Sequence, residues 1–306
     1  MRTLALVSLS LLGTGCFDTI GIGNEPLGTS CGVLQGDPQA SEAALSALGR
    51  LNCYREVMGL DHVRLDPTLS AAAQAHAEWL DATDGSGHIQ DDPSHPLFLG
   101  RTVQDRLDAI GYALDGATHA AQEVVSFQGA DAPGSDAVDI WMDTVYHREP
   151  LATPDVVAVG FGQAGIHAVM EVVSPWEGSR AYAVYPGEGQ SMLEGSFDSD
   201  TESPDPAPGH GVVGLPITLT MLAPGWASDD DPYGLTADPI RSSLSGPNGR
   251  RVELLFLEPA GQPALLRTLA ALPVQPLDAG TTWTVTLAWT AAGVQSEQQW
   301  SFATAP

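Results

Sequence analysis

The 306-residue chain contains no lysine, and all twelve of its cationic side chains are arginines. It therefore cannot use a Schiff-base lysine or the lysine of a phosphate-binding P-loop. Against the twelve arginines stand 38 acidic residues, which gives a formal net charge of -26. A chain this acidic repels phosphate backbones and anionic lipid surfaces. The composition argues against nucleic acid as a partner and against membrane binding through bulk charge.

Long apolar runs are also missing, except at the N-terminus. Arg2, the apolar residues 4–12 and the small residues 13–15 predict a secretory signal over residues 1–16. Cys16 follows directly, as in bacterial lipoprotein signals, so we expect Cys16 to be lipidated; ordinary signal cleavage nearby is the alternative. Either route exports the chain to the cell envelope or the extracellular space. One lipid would be the only membrane attachment, because no other segment is apolar enough to span a bilayer.

Cysteine is scarce, with three residues in the chain. Once Cys16 is assigned to the lipid anchor, Cys31 and Cys53 remain. Two cysteines in an exported protein most often pair, so we predict a disulfide that joins an N-terminal arm, residues 17–40, to the first helix. Two buried free thiols are the alternative.

The first half of the remaining chain has helical periodicity and then β-branched runs. Residues 156–162 and 166–173 predict a β-hairpin, and residues 180–185 predict another strand. Helices followed by antiparallel strands predict an α+β domain over residues 41–186. Four helices are predicted. The first covers residues 41–59, and the other three have capping residues at Asp66, at Thr102 and at either Ser135 or Asp136.

The second half shows no persistent helical period. Residues 187–211 are rich in proline and acids and predict a linker. In residues 282–289 every second side chain is large and apolar, which predicts a strand with one buried face. Short strands over residues 212–306 predict an all-β sandwich of immunoglobulin type. Residues 277–285 followed by residues 300–304 resemble bacterial Ig-like modules.

Two histidines and an isolated acid are the candidates for chemistry in the first domain. The segment from Trp141 to Arg148 forms the end of one predicted helix and contains His147. Glu123 and His88 lie upstream. Histidine and carboxylate side chains are common metal ligands and common general acids and bases. His76 falls on the apolar stripe of the second helix and is predicted to be a packed core histidine.

Several short motifs of the first domain resemble the CAP superfamily, also called SCP or sperm-coating-protein-like, in its bacterial form. The similarity covers about residues 41–186 and implies an α-β-α sandwich with a cleft that holds two histidines and two acids. The matching positions are Asn52 and Arg55 before Gly59, residues 65–69 with residues 73–77, Arg106 before Gly111, Trp141 before His147 and Arg148, and the Val-Gly-x-Gly-like residues 157–162.

The resemblance implies that His88, Glu123 and His147 face this shared cleft. Such a set either holds a divalent metal such as zinc, with an open coordination position, or hydrogen-bonds a polar ligand. The sequence departs from the family at the second acid, where Thr144 stands near the expected place and Asp143 is the closest carboxylate. The residues beside Glu123 also lack the usual glycine and asparagine.

Other roles remain open for these residues. His95 competes with His88 as the first cleft histidine. His147 is equally suited to cap the carbonyl end of its helix, where the dipole favours a cation. Glu123 is also suited to pair with Arg148 or with a backbone amide.

The sequence therefore predicts an exported, lipid-anchored binding module at the cell surface, with a lipid, a polymer or a protein as its ligand. The alternative is a metal-assisted hydrolase acting on peptide or cell-wall substrates through the His/Glu cleft. A purely architectural role, with the sandwich as a spacer or adhesin, is a third hypothesis.

Overall fold

The computed structural model describes residues 27–28, 31–32, 40–112, 120–130, 132–175, 181–222, 234–262 and 264–306. The predicted signal segment, Cys16 and most of the predicted arm lie outside the described residues. Cys31 and Cys53 form a disulfide with their Cα atoms 5.0 Å apart. It joins the described end of the arm to the first helix.

The first half of the chain contains five helices and a four-stranded sheet among the described residues. Asp66 and Thr102 cap their helices as predicted. The sheet order is β1-β3-β4-β2, and only the β1–β3 pair is parallel. The helices are α1 (Glu42–Val57), α2 (Pro67–Thr83), α3 (Val103–Ala109), α4 (Gly134–Asp143) and α5 (Arg148–Ala152). The strands are β1 (Arg64–Leu65), β2 (Ala120–Phe127), β3 (Ala158–Ala164) and β4 (His167–Ser174).

Helices cover both faces of this sheet. On one face, Ala73 and Leu80 of α2 pack with Val125 and Val169 of the sheet. On the other face, α1 and α4 share a core with strand residues that include Phe161. Alternate residues of a strand point to opposite faces, so each strand supplies both layers. The predicted α+β class and the three-layer α-β-α arrangement are confirmed.

The predicted single helix through Trp141 and His147 is wrong. Helix α4 ends at Asp143, and α5 begins at Arg148. Thr144 has an extended conformation, with a ψ of 176°, which stops the helix. The backbone N–H groups of the next residues are therefore free to bind a side chain from elsewhere. His147 lies at the start of α5 rather than at the carbonyl end of α4.

The second half is built of short strands in two larger sheets. The sheet orders are β11-β10-β14-β15, with β9 added to β14, and β12-β13-β8-β5. Trp283, Val285 and Leu287 are buried, as their alternation predicts. The strands are β5 (Tyr182–Tyr185), β6 (Ser196–Asp198), β7 (Val212–Gly214), β8 (Ile217–Met221), β9 (Thr236–Ala237), β10 (Ser243–Ser245), β11 (Arg251–Val252), β12 (Leu254–Leu257), β13 (Thr268–Pro273), β14 (Thr282–Ala291) and β15 (Val294–Ala303).

The boundary between the halves differs from the prediction. Strand β5, assigned from sequence to the first domain, pairs with β8 in a sheet of the second half. The predicted linker, residues 187–211, contains β6, which pairs with β7, and a 3₁₀ turn at Ser199–Thr201. Phe197 of β6 shares an apolar cluster with Val145 and Tyr146. The proline- and acid-rich residues 187–211 therefore include turns and a strand rather than only an extended linker.

Candidate functional site

The three predicted cleft residues His88, Glu123 and His147 line one cavity of about 320 Å³ beside the edge strand β2. Both halves of the chain contribute to its wall. The other described residues that line it are Gln122, Val124, Tyr146, Glu149, Pro150, Ser203, Pro204, Ala264 and Leu266.

Glu123 is buried at the inner end of this cavity. Strand β2 directs it to the same face as Val125, where α2 and α3 lie. One carboxylate oxygen accepts a hydrogen bond from His88 Nδ1 at 2.9 Å, and the other accepts one from the Arg106 guanidinium. The Glu123 side chain is 1% exposed, whereas that of His88 is 47% exposed. The partly exposed His88 ring therefore lines the cavity while it is hydrogen-bonded to the buried Glu123 carboxylate.

A second buried acid, Glu171, lies directly opposite Glu123 on β4. Its carboxylate is 3.7 Å from the Arg106 guanidinium. Burial and the neighbouring Glu123 charge hold the pKa of Glu171 well above its usual range. Burial would also raise the pKa of Glu123, but the hydrogen bond from His88 and the charge of Arg106 outweigh it and lower that pKa. Of the pair, Glu123 is therefore the member that favours its ionised form, and Glu171 is the member that favours its protonated form.

His76 is a packed core histidine, as predicted. It is fully buried, with Nε2 3.1 Å from the Gly87 carbonyl and Nδ1 3.3 Å from the Gln90 side-chain nitrogen. Those partners require Nε2 to donate and Nδ1 to accept, which is a neutral imidazole. Burial lowers the pKa of His76, against the opposing effect of nearby Glu123. His76 therefore packs beneath the site without a charge of its own.

His147 has a carboxylate partner that sequence reasoning missed. Glu202, from the predicted linker, lies with Oε1 3.1 Å from His147 Nδ1. The same carboxylate accepts hydrogen bonds from the backbone N–H groups of Val145 at 2.7 Å, Tyr146 at 2.6 Å and His147 at 3.3 Å. No sequence signal links Glu202 to His147, because 55 residues separate them and Glu202 lies among other acids.

The two candidates for the missing second acid are not part of the cavity. Asp143 is exposed and interacts electrostatically with Arg148, Asp139 and Arg50. The Thr144 hydroxyl donates to the Trp141 carbonyl at 2.8 Å and lies 3.5 Å from His147 Nδ1. The acid beside His147 is Glu202 instead.

The remaining sequence alternatives are also decided. His88, rather than His95, reaches Glu123, because His95 Nδ1 accepts a hydrogen bond from the Leu97 backbone in an exposed loop. Glu123 pairs with Arg106 and not with Arg148. The Arg148 guanidinium is buried and donates to the Met142 and Pro216 carbonyls and to the Thr218 hydroxyl.

The predicted metal set of His88, Glu123 and His147 does not fit this geometry. Both oxygens of Glu123 are engaged, one by His88 and one by Arg106. Within the described residues, no group of three or more His, Cys, Asp and Glu side chains is arranged to hold a metal ion. Direct ligation by Glu123 would also separate it from the buried Arg106 charge, which is costly.

The arrangement consists of two histidine–carboxylate pairs beside one cavity. Each carboxylate can only accept, so Nδ1 of each imidazole carries the proton. The opposite nitrogen, Nε2, then remains as an acceptor, or as a donor once the ring is protonated. The site can therefore bind a small polar ligand or activate a water molecule, with apolar contacts from Val124, Pro150 and Leu266.

Comparison with known proteins finds a family match within the first half of the chain. Residues 48–167 match the model of the cysteine-rich secretory protein family, CAP. A comparison with curated proteins gave no match. The matched residues lie within the three-layer part of the fold.

Two solved bacterial structures are similar to part of the chain. One is an extracellular protein containing an SCP domain from Bacillus anthracis str. Ames, with 19% identity over 43% of this chain and a TM-score of 0.37. This chain spans only 40% of that protein's length. The other is an outer surface protein from Borrelia burgdorferi, with 17% identity over 41% of this chain and 86% of that one, and a TM-score of 0.33.

The described residues contain no helix that is both long and apolar enough to span a bilayer.

Proposed function

We propose that this chain is an exported binding module whose CAP-domain cavity holds a ligand of the cell envelope or its surroundings. The observation that carries the proposal is the pair of cavity-lining histidines, each hydrogen-bonded through Nδ1 to a buried carboxylate. Burying a carboxylate is costly unless hydrogen bonds compensate it. Here the compensated carboxylates orient two partly exposed imidazoles, 47% and 24% exposed, beside one cavity.

The test is a binding assay with the full chain against purified envelope components: phospholipid vesicles, peptidoglycan fragments and peptides. The double variant His88→Gln with His147→Gln removes both imidazoles. We expect it to lose at least tenfold in affinity, about 1.4 kcal/mol. His62→Gln is the matched control, because His62 pairs with Glu56 and does not line the cavity. Equal binding by the double variant and the wild type would rule out the cavity as the ligand site.

The hydrolase hypothesis is addressed by the same preparation. A histidine oriented by a carboxylate is the usual form of a general base. Ser203 lines the cavity as well, but no described hydrogen bond joins its hydroxyl to His147. Products of peptidoglycan fragments and a peptide mixture are followed by mass spectrometry, and bound zinc is measured by elemental analysis. If the wild type hydrolyses a substrate and Glu123→Gln does not, the function is hydrolysis rather than binding.

We further propose that Cys16 carries the lipid that attaches the module to a membrane. The support is the signal-like residues 1–16, with Cys16 directly after three small residues. Labelling with a fatty-acid analogue in a bacterial host should mark the wild type and not Cys16→Ser, which should be released from the membrane fraction. Unlabelled wild-type protein would favour ordinary signal cleavage.

A further inference from the structure

Glu202 belongs to the segment that follows the CAP domain, yet its side chain is completely buried against that domain. The preceding turn, Ser199–Thr201, and strand β6 carry it to the loop between α4 and α5. There its carboxylate accepts hydrogen bonds from three backbone N–H groups and from the His147 ring. These donors offset the cost of burying a charge. A linker that only connected two modules would leave this carboxylate in water.

The contact decides which nitrogen of His147 is available in the cavity. Because the Glu202 carboxylate has no proton to donate, Nδ1 of a neutral His147 must carry the hydrogen. Nε2 then holds the lone pair. Glu123 imposes the same tautomer on His88. The two pairs are equivalent in chemistry, although one carboxylate comes from the CAP sheet and the other from a later segment.

The charged residues around the cavity also disfavour an anionic ligand. The described residues that line the cavity include two glutamates, Glu123 and Glu149, and no arginine. Arg106 and Arg267 lie nearby, but neither lines the cavity. An anionic ligand would therefore find no arginine in the described wall, and each neutral imidazole would present it with a lone pair.

We propose that Glu202 is a positioning residue that fixes His147 with Nε2 as an acceptor. The cavity then selects small uncharged or cationic ligands that donate hydrogen bonds, such as hydroxyl or ammonium groups, over carboxylate and phosphate anions. This inference rests on the proposed binding function and specifies its ligand chemistry. Ser203 and Pro204, next to Glu202, complete the cavity wall.

The tautomer is measured by ¹⁵N NMR on the full chain with ¹⁵N-labelled histidine, at pH 8, where imidazoles are usually neutral. In the wild type we expect the hydrogen of both His88 and His147 on Nδ1. In Glu202→Ala we expect His147 to move mainly to the Nε2–H form while His88 keeps its spectrum. Glu56→Ala, which removes the partner of His62 outside the cavity, should leave both cavity histidines unchanged.

A wild-type His147 with its hydrogen on Nε2 would overturn the proposal without any variant, even if Glu202→Ala does not fold. An unchanged His147 spectrum in a folded Glu202→Ala would also overturn it, since a purely structural role for Glu202 predicts that result.

The ligand class is tested with two small probes at equal ionic strength. Ethanolamine, which offers an ammonium and a hydroxyl group, should perturb the ring signals of His88 and His147, and acetate should not. In Glu202→Ala the perturbation at His147 should fall several-fold. Equal perturbation by acetate, or no perturbation by either probe, would contradict the assigned ligand class. Because the tautomer does not depend on any ligand, the NMR prediction can fail while the binding function stands. The histidine variants test the binding function separately.

Discussion

Glu123 and Glu171 face each other across β2 and β4 and share a single buried guanidinium. Two ionised carboxylates so close together in a buried place repel strongly, so one of them keeps its proton. Arg106 and His88 contact Glu123 directly, and this selects Glu123 as the ionised member. Within the group of Glu123, Glu171 and Arg106, one carboxylate charge therefore balances one arginine.

Identical changes at these two positions should have unequal effects. Glu123→Gln removes the charge that compensates Arg106, and we expect it to lower the free energy of unfolding by about 3 kcal/mol. Glu171→Gln replaces a protonated carboxyl by a group of the same shape, and we expect a change within about 1 kcal/mol at pH 5. Urea unfolding followed by circular dichroism measures both. Equal losses would contradict the assignment of the charge to Glu123.

The same assignment predicts how the effect of Glu171→Gln changes with pH. An unfolded glutamate ionises near pH 4.3, and burial with the Glu123 charge raises the pKa of Glu171 in the folded chain. The stability contributed by Glu171 is thus fully present below about pH 4.3 and is lost as pH rises toward the folded pKa. Glu171→Gln lacks this loss, so its stability relative to the wild type should rise between pH 4.5 and 7.

The slope of that relative rise is limited to about 1.4 kcal/mol per pH unit. Denaturation series at four pH values measure it. A difference between Glu171→Gln and wild type that stays constant with pH would show that Glu171 ionises normally in the folded chain. Glu123→Gln should change in the opposite sense, because the lowered pKa of Glu123 gives stability that is present above about pH 4.3 and lost on acidification.

Among the elements, α2 and β3 make backbone contact that the glycines of β3 permit. A Cβ atom at Gly160 would lie 2.0 Å from the Leu69 carbonyl carbon, and one at Gly162 would lie 2.2 Å from the Gln74 backbone nitrogen. Such distances are impossible without moving the helix. The Val-Gly-x-Gly-like pattern in the sequence is therefore the condition for close helix–sheet packing.

Gly160→Ala should force α2 away from the sheet. We expect a loss of about 3 kcal/mol or more, because overpacking a rigid backbone contact cannot be relieved by a side-chain rotation. Gly261→Ala is the control, since a Cβ atom there meets nothing within 4 Å. The measurement is the thermal midpoint of both variants. A Gly160→Ala protein as stable as the control would show that α2 and β3 are not in backbone contact.

At the scale of the whole molecule, the two halves are joined by polar and apolar contacts. Glu149 of α5 accepts hydrogen bonds from the backbone N–H groups of Leu266 and Arg267. Val145 and Tyr146 pack with Phe197 and with residues of the second half that include Leu265. Separating the two halves would break the hydrogen bonds to Glu149 and expose the apolar cluster to water, and both changes cost free energy.

We therefore expect calorimetry of the full chain to show one cooperative unfolding transition. Glu149→Ala leaves buried N–H groups without an acceptor, which costs about 2 kcal/mol. It should lower the temperature of the single transition or split it in two. Glu253→Ala, at an exposed position, should leave the transition unchanged. Two separate transitions in the wild type would show that the halves fold independently.

Local patterns were sufficient where a short stretch of sequence decides the structure. Asp66 and Thr102 cap α2 and α3, and the alternation around Trp283 marks a buried strand face. The helix through His147 was wrong because its end depends on a distant partner. Val145 and Tyr146 leave the helical path where Glu202 binds their N–H groups, and no local propensity encodes that contact.

Composition and periodicity can be read directly from the chain, and they predict its acidic character, the absence of lysine chemistry and the α+β class. The assignment of His88, Glu123 and His147 to one cleft came from the resemblance to the CAP superfamily, because no spacing rule places these residues together. The folded structure was needed to show that Glu202 is the acid beside His147, that Glu171 is the buried acid whose pKa is raised, and that the second half forms part of the cavity wall. Each of these depends on groups that are distant along the chain and are brought together in a buried place, where the cost of an uncompensated charge selects the partners.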